Sequence, residues 1–504
     1  MHSREKTLGD YVRLLKDAEI LLETGGVKET DERPITFITY DSRKAGPNTL
    51  FICKGAHFQP AYLQDAVQRG AVAYISLCEY SEGRSIPCLK VVDLRKALAL
   101  LANYYFEEPW KKLTLIGVTG TKGKSTTAYY IKSILDEYLA DSECRESGIL
   151  SGIENYDGVI REESHLTTPE TFELYEHFSN SLSMGIHHLT MEVSSQALKY
   201  HRTLGVQFKV GIFLNIGQDH ISELEHPDFE DYLDSKLRLF SQCEMALVHN
   251  DGPYFSKVLE AAKEGAQKVV TFGRNPGSEI WGHDLVTREE GTEFSVSFDG
   301  VTELFQINMK GTFNVDNALA AISACLILEI PISIIKKGLA KAKVAGRMEL
   351  FYHKNKDRII FVDYAHNQLS FETLFQSIKQ EYPDREISIV FGCPGKKALG
   401  RRKELGEIAG RNADKVYITE EDAGEEPLED ISKEIASYVA KEGTPHEMIP
   451  DREKAIRKAI QTASAHSVIL ITGKGRETRQ KRGTEYIDTP SDVEIVERVV
   501  RDEK

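Results

Sequence analysis

The chain has 504 residues, too many for one hydrophobic core, so about three domains are expected. Its 63 basic and 78 acidic residues leave a net charge of −15, which argues against a general nucleic-acid or acidic-membrane binder. The N-terminus, MHSREKTLGDYVRLL, lacks a signal-peptide core, and no apolar run approaches the roughly 18 residues of a membrane span, so a cytoplasmic protein is expected, without membrane insertion.

In chain order, the first hundred residues alternate a helical pattern (LGDYVRLL) with strand-like runs such as ITFITY and AVAYIS. After FEEPWKKL a strong strand over 113–118 enters the glycine loop GVTGTKGKST. A helix follows with Ala128, Ile131, Ile134 and Leu135 on one face. Further strands over 188–193 and 210–216, separated by helical segments, make the middle a largely parallel α/β sheet. Phe294, Val296 and Phe298 alternate before Asp299-Gly300, which predicts a hairpin. From Ala345 the strands RIIFVDY, EISIVFG, KVYIT and SVILITG each precede helical periodicity, the pattern of a doubly wound domain. The expected class is α/β throughout, in domains of 1–108, 109–344 and 345–504. Seven cysteines, widely spaced and without a C-x-x-C pair, read as reduced and mostly buried.

Strand, glycine loop and helix together are the setting of a phosphate site. Backbone N–H groups of Gly120, Thr121, Lys122, Gly123 and Lys124 can wrap a phosphate because glycines keep side chains clear, and the following helix adds partial positive charge. Lys124 neutralises the β/γ-phosphates and Ser125, next to Thr126, offers a hydroxyl to Mg²⁺. Gly117 lies one residue too far upstream for G-x-x-x-x-G-K-[ST], so the match is to the shorter G-x-x-G-K-[ST]. The bland alternative is a plain strand-to-helix turn. A GTPase is disfavoured, since Asn355-Lys356-Asp357 misplaces the aspartate of N-K-x-D.

Two apolar runs end in acids: HHLTMEVSS with Glu192 and FLNIGQDH with Asp219-His220. Each suits a hard cation or is a capped strand end. In HPDFEDYLDSKLRLF, Phe229, Tyr232, Leu233, Lys236 and Phe240 share one helical stripe. A buried lysine there is a neutral, reactive amine; a snorkelling one is merely solvated, and pattern alone leaves both open.

These motifs resemble the Mur ligase family. The segments YDSRKAGPNTLFICKGA, GVTGTKGKST, LTTPE, MEVSSQAL, LNIGQDHI, DYLDSKLRLF, KGTFNVDNALAA, GRME, FVDYAHN and GKGRE occur in family order and cover nearly the whole chain. The resemblance, strongest to the branch that adds a diamino acid, implies an ATP-dependent amide ligase of peptidoglycan assembly acting on UDP-N-acetylmuramoyl-L-Ala-D-Glu through an acyl phosphate. It implies a UDP-binding first domain, a central ATPase domain and a Rossmann-like last domain. It also implies that Glu192 and His220 hold the metal with Ser125, that Lys236 carries a CO₂-derived carbamate, and that Asn314, Asn317 and Arg347 face ATP with Asp363 on its ribose. Ser42 is then on the uridine, and Thr167, Thr168, Ser194 and Arg202 are on the muramoyl-dipeptide and its pyrophosphate. Helix capping is the alternative for Asn314 and Asn317, and ordinary turns for the hydroxyl residues.

The chain departs from the family in one place that bears on substrate. Members that add meso-diaminopimelate carry D-N-P-R, whose arginine grips the extra carboxylate; here the region reads TEEDAGEEPLED. Glu420, Glu421, Asp422, Glu425 and Glu426 form an acidic patch suited to a side-chain ammonium. L-Lysine is therefore favoured, with Asp422 and Glu477 as its ammonium partners, while Arg401, Arg402 and Arg476 keep meso-diaminopimelate open. Tyr200 replaces a glutamine that some relatives place before His-Arg. The rivals are a folylpolyglutamate synthase, which normally lacks the YDSR-bearing domain, and a non-catalytic ATP-binding module, against which Lys124, Glu192, His220 and Lys236 speak. A monomer is the working expectation.

Overall fold

The computed structural model describes residues 6–55, 58–140, 146–219, 221, 225–288, 291–309, 311–353, 357–396 and 398–502. Among them the strands fall into three large sheets and one two-stranded ribbon.

The first sheet is built from Phe37–Thr39, Thr49–Ile52, Ala71–Ser76 and Cys88–Val91 in parallel, with Leu21–Glu23 antiparallel at one edge. Its helix Leu94–Tyr105, started by Asp93 accepting from Arg95 and Lys96 amides, packs against Thr171–Ser183 of the next domain. Asn103 ties that seam: its Oδ1 accepts from Trp110 Nε1 at 2.8 Å and from the Tyr175 hydroxyl at 3.0 Å. The apolar core runs on from Leu98 and Leu101 to Leu115, Tyr175 and Phe208 without a break.

In the second sheet the strand Thr114–Thr119 lies between His188–Glu192 and Phe208–Phe213, parallel to both. Strand order therefore reverses at the glycine loop, where an open parallel sheet leaves a crevice for ligands. Register puts Glu192 beside Val118 and Phe213 beside Thr119, so the acid and the loop leave the same edge. Gly117 is a strand residue: a Cβ there lies 2.9 Å from the Phe208 ring, so close packing requires this glycine and the loop does not. Asp299 (φ 46°) and Gly300 (φ 77°) make the expected hairpin, joining Gly291–Phe298 to Val301–Ile307.

The third sheet runs in the order Glu349–His353, Arg358–Asp363, Ser467–Thr472, Glu386–Phe391, Lys415–Ile418, His446–Met448, parallel apart from the first strand. Its carboxyl edge faces the second domain. Arg347 reaches Ser125, Arg401 reaches Asp219 and the Thr478 hydroxyl donates to Glu163. Five of the six described cysteines are buried and Cys78 is exposed; all six are free, and Cys144 lies outside the described residues.

Candidate active site

The glycine loop closes on itself through lysines. Lys124, the first residue of helix Lys124–Leu139, donates from Nζ to the carbonyls of Gly120 (3.0 Å) and Thr121 (3.2 Å). Lys236, 2% exposed, donates to the same Gly120 carbonyl at 2.9 Å and lies 4.6 Å from the centre of the Tyr232 ring. The broken stripe is therefore buried and does not snorkel. Desolvation, then repulsion from Lys124, holds Lys236 well below the usual lysine range, which favours the neutral amine. Lys124 is lowered by burial, with Glu192 opposing the shift.

The loop's shape is copied from Asn215. Its carbonyl accepts from Thr121 N at 3.0 Å, its Oδ1 from Lys122 N at 2.9 Å, and its Nδ2 donates to Lys122 O at 3.1 Å. Gly123 has φ 84°, and a Cβ there meets Asn317 Oδ1 at 2.1 Å, so only glycine fits. Asn314 and Asn317 are buried inside helix Thr312–Ile327, whose N-cap is Gly311, so they do not cap it. Arg347 Nη2 lies 3.3 Å from Ser125 Oγ and its guanidinium stacks on Tyr364. Asp363 already accepts the amides of Met348 and Ala365, one on each oxygen, which fixes the turn that carries Arg347.

Glu192, 2% exposed, accepts from Gly152 N at 2.8 Å through Oε1. A carboxylate at the strand end and the Ser125 hydroxyl suit a hard cation such as Mg²⁺. His220, the other expected ligand, lies outside the described residues. Among the described residues a separate group with metal-like spacing is His249, Asp251 and Asp316, but Arg274 already binds Asp316 at 2.7 Å.

Several contacts here were missed in the sequence. Asp219 accepts from Asn367 and, at 3.1 Å, from Arg401, and Lys122 Nζ lies 4.0 Å away. Lys122 is lowered to about 7, chiefly by desolvation, against the pull of Asp219. His366 donates from Nδ1 to Tyr364 O at 2.7 Å and is kept neutral by burial and by Lys122 and Arg401. Asn215, Asn367 and His366 each lie inside the quoted segments LNIGQDHI and FVDYAHN, and Asp219 itself is the acid that ends the apolar run FLNIGQDH; only its partners went unseen.

The residues expected on the sugar-nucleotide are grouped more loosely. Thr168 Oγ1 donates to Glu192 O at 2.9 Å and accepts from Ser194 N at 3.0 Å, and Ser194 Oγ caps the next helix, so both hydroxyls already serve the fold. Thr167 lies beside Gly152, next to Glu192. Arg202 donates to Thr168 O at 3.0 Å and pairs with Glu170, which also holds Lys54. Tyr200 is covered by the Arg95 guanidinium at 3.4 Å. Ser42 is buried in the first domain, close to Asp65, whose carboxyl Arg69 first and Ser42 next hold below the usual range.

A cavity of about 650 Å³ opens between the second and third domains, lined among others by Arg347, Tyr364, Asp422, Lys474, Glu477 and Arg479. The acidic patch proves to be largely neutralised. Glu420 pairs with Arg482, Glu425 with Lys396, and Glu426 with Arg402. Glu421 is buried and pushed up to about 7 by desolvation. Asp422 (3.1 Å) and Glu477 (2.7 Å) share one ammonium, that of Lys474. The arginines left open for a second carboxylate are engaged too: Arg401 on Asp219, Arg402 on Glu426 and Glu434, Arg476 on Glu349.

The Mur ligase middle domain matches residues 118–325 and the Mur ligase glutamate ligase domain matches 346–475. The chain is 35% identical over 494 residues to a UDP-N-acetylmuramyl-tripeptide synthetase of Ligilactobacillus salivarius, covering 94% of this chain and 96% of that one. The chain belongs to the Mur ligase family. It is thus an ATP-dependent ligase. It is also 35% identical over 455 residues to a UDP-N-acetylmuramoyl-L-alanyl-D-glutamate–L-lysine ligase of Enterococcus faecalis, covering 89% and 88% of the two chains. A solved UDP-N-acetylmuramoyl-L-alanyl-D-glutamate–2,6-diaminopimelate ligase shares the fold at TM-score 0.67 and 21% identity, over 99% of each chain. No helix among the described residues is long and apolar enough to cross a membrane.

The position of Lys122 gives a pH dependence with a defined sign. Above about pH 7 the empty site holds this amine deprotonated, and ATP phosphates favour the charged form, so binding takes up a proton. Affinity for ATP, measured by calorimetry, is expected to fall as pH rises from 7 to about 9. Lys122→Arg, charged throughout, is expected to flatten that slope; an unchanged slope contradicts the assignment.

Proposed function

We propose that this ligase couples L-lysine to UDP-N-acetylmuramoyl-L-Ala-D-Glu with hydrolysis of ATP to ADP and phosphate. The observation that carries the choice of lysine is the local charge at one cluster of the interdomain cavity, whose lining as a whole has as many basic as acidic side chains. Asp422 and Glu477 share a single resident ammonium, leaving one net negative charge there. Lys474 Nζ and Lys481 N both donate to Oδ1 of Asp422, at 3.1 and 2.9 Å, so among the described residues Oδ2 is available to an incoming ammonium. A second cation completes that set, whereas the extra carboxylate of diaminopimelate is repelled by it. The name of the enterococcal relative, an L-lysine ligase, supports the same reading.

In this reaction the side-chain carboxylate of the D-Glu residue attacks the γ-phosphorus and ADP leaves. The α-amine of lysine then attacks the acyl carbon, loses a proton and expels phosphate. Lys124 and the loop amides screen the triphosphate so that the carboxylate can approach. Mg²⁺, held by Glu192, Ser125 and His220, would add its charge to that screen. Lys236 as a neutral buried amine suits addition of CO₂; the resulting carbamate is an anion beside Lys124. Three sheets support boundaries near residues 108 and 344, and we place the enzyme in the cytoplasm, with its nucleotide substrates.

Incubation of the nucleotide dipeptide and ATP with L-lysine, meso-diaminopimelate or L-ornithine is expected to give tripeptide with lysine at a rate at least about tenfold above the others. Product chiefly with diaminopimelate rejects the charge argument. Lys236→Ala is expected to lower kcat by about a hundredfold, with partial rescue by formate or acetate. Absence of a ¹³CO₂-derived label on Lys236 of the wild-type protein counts against the carbamate.

A further inference from the structure

The glycine loop carries two lysines, and a third reaches it from helix Phe229–Leu237. Two of the three amines are spent on the backbone. Lys124 Nζ donates to Gly120 O and Thr121 O, and the buried Lys236 donates to Gly120 O. Lys122 differs. Its side chain is 26% exposed, and among the described residues its Nζ makes no hydrogen bond, the Asp219 carboxylate standing 4.0 Å away. Burial first, and then its cationic neighbours Lys124, Arg401 and Arg347, bring this amine down to about 7 against the pull of Asp219. At about pH 8 roughly nine-tenths of it is uncharged, against under about 1% of an ordinary lysine. It is a reachable nucleophile.

The loop also selects the electrophile. The amides of Thr121 and Lys122 are taken by Asn215. The first-turn amides of helix Lys124–Leu139, which lack intrahelical partners, remain with Lys124 for a phosphoryl group. An acyl phosphate seated by that group presents an activated carbonyl to the pocket ringed by Lys122, Lys124, Arg347 and Arg401. We propose that Lys122 is an acylation site, modified by acyl phosphates that enter the nucleotide-free loop by their phosphoryl end. Its Nζ attacks the carbonyl carbon, the bond from that carbon to the bridging oxygen breaks, and the departing phosphate takes the proton shed by nitrogen. An amide on Lys122 and inorganic phosphate result. The amide is uncharged, so the loop loses a cation that the triphosphate would use. The donor is a small free acyl phosphate or the acyl phosphate of the coupling reaction itself. The proposal goes beyond that reaction and is independent of which amino acid is coupled.

The test incubates wild-type enzyme with acetyl phosphate at about pH 8 and maps modified lysines by peptide mass spectrometry. Lys122 is expected to be acetylated at least about tenfold faster than the exposed Lys111 and Lys454. A saturating non-hydrolysable ATP analogue is expected to slow this about tenfold or more by filling the same seat. The acetylated enzyme is expected to bind the analogue more weakly in calorimetry. A second incubation, with nucleotide dipeptide and ATP but no amino acid, separates the donors: a dipeptidyl adduct on Lys122 there assigns the reaction's own intermediate. Modification of Lys122 no faster than surface lysines in both incubations overturns the proposal, and so does a rate that the analogue leaves unchanged. If the analogue fails to bind wild-type enzyme, the phosphate loop itself is refuted, a separate failure that takes the proposal with it.

Discussion

One carbonyl oxygen, that of Gly120, accepts hydrogen bonds from two buried lysines, Lys124 and Lys236. Two ammonium ions do not share one oxygen out of reach of water without severe repulsion, so one amine gives up its proton. Burial lowers both amines, and Lys236 is held well below the usual lysine range, so it is the one that favours losing its proton. The result is two amines of unequal basicity on one carbonyl, in a loop whose backbone has to be glycine at 123. Asn317 fills the space a side chain there would occupy, and Asn215 fixes the loop from the end of the neighbouring parallel strand.

The excess of positive charge at that loop also explains how the third domain is held. Asp219, at the end of the second sheet, is bound by Asn367 and Arg401 of the third domain and lies near Lys122 of the loop. Arg347 reaches Ser125 from the same side. The contacts that align the domains are thus made at the glycine loop itself, and the cavity proposed for the amino acid opens beside them, with Arg347 and Tyr364 in its wall.

Local sequence made the loop, the strand before it and the hairpin at Asp299-Gly300 legible, because each depends on spacing within about ten residues. Lys236 was legible as an anomaly, since a charged residue interrupted an apolar stripe. Its state depends on a carbonyl 116 residues away, which no local pattern reports. The acidic patch was misjudged in degree for the same reason. Arg482, Lys396 and Arg402, the partners of Glu420, Glu425 and Glu426, lie 24 to 62 residues from them in sequence, and only the fold pairs them. Asp422 and Glu477 remain the acids on the cavity, but with Lys474 between them. Gly117, which spacing alone leaves outside the phosphate motif, is a packing glycine under Phe208.

The central claim is that this loop lets a substrate carboxylate capture the terminal phosphoryl group of ATP. The most direct measurement uses nucleotide dipeptide labelled with ¹⁸O in its free D-Glu side-chain carboxylate and follows the released phosphate by mass spectrometry. One labelled oxygen in each phosphate formed is the result expected. Unlabelled phosphate accompanied by tripeptide would contradict the account.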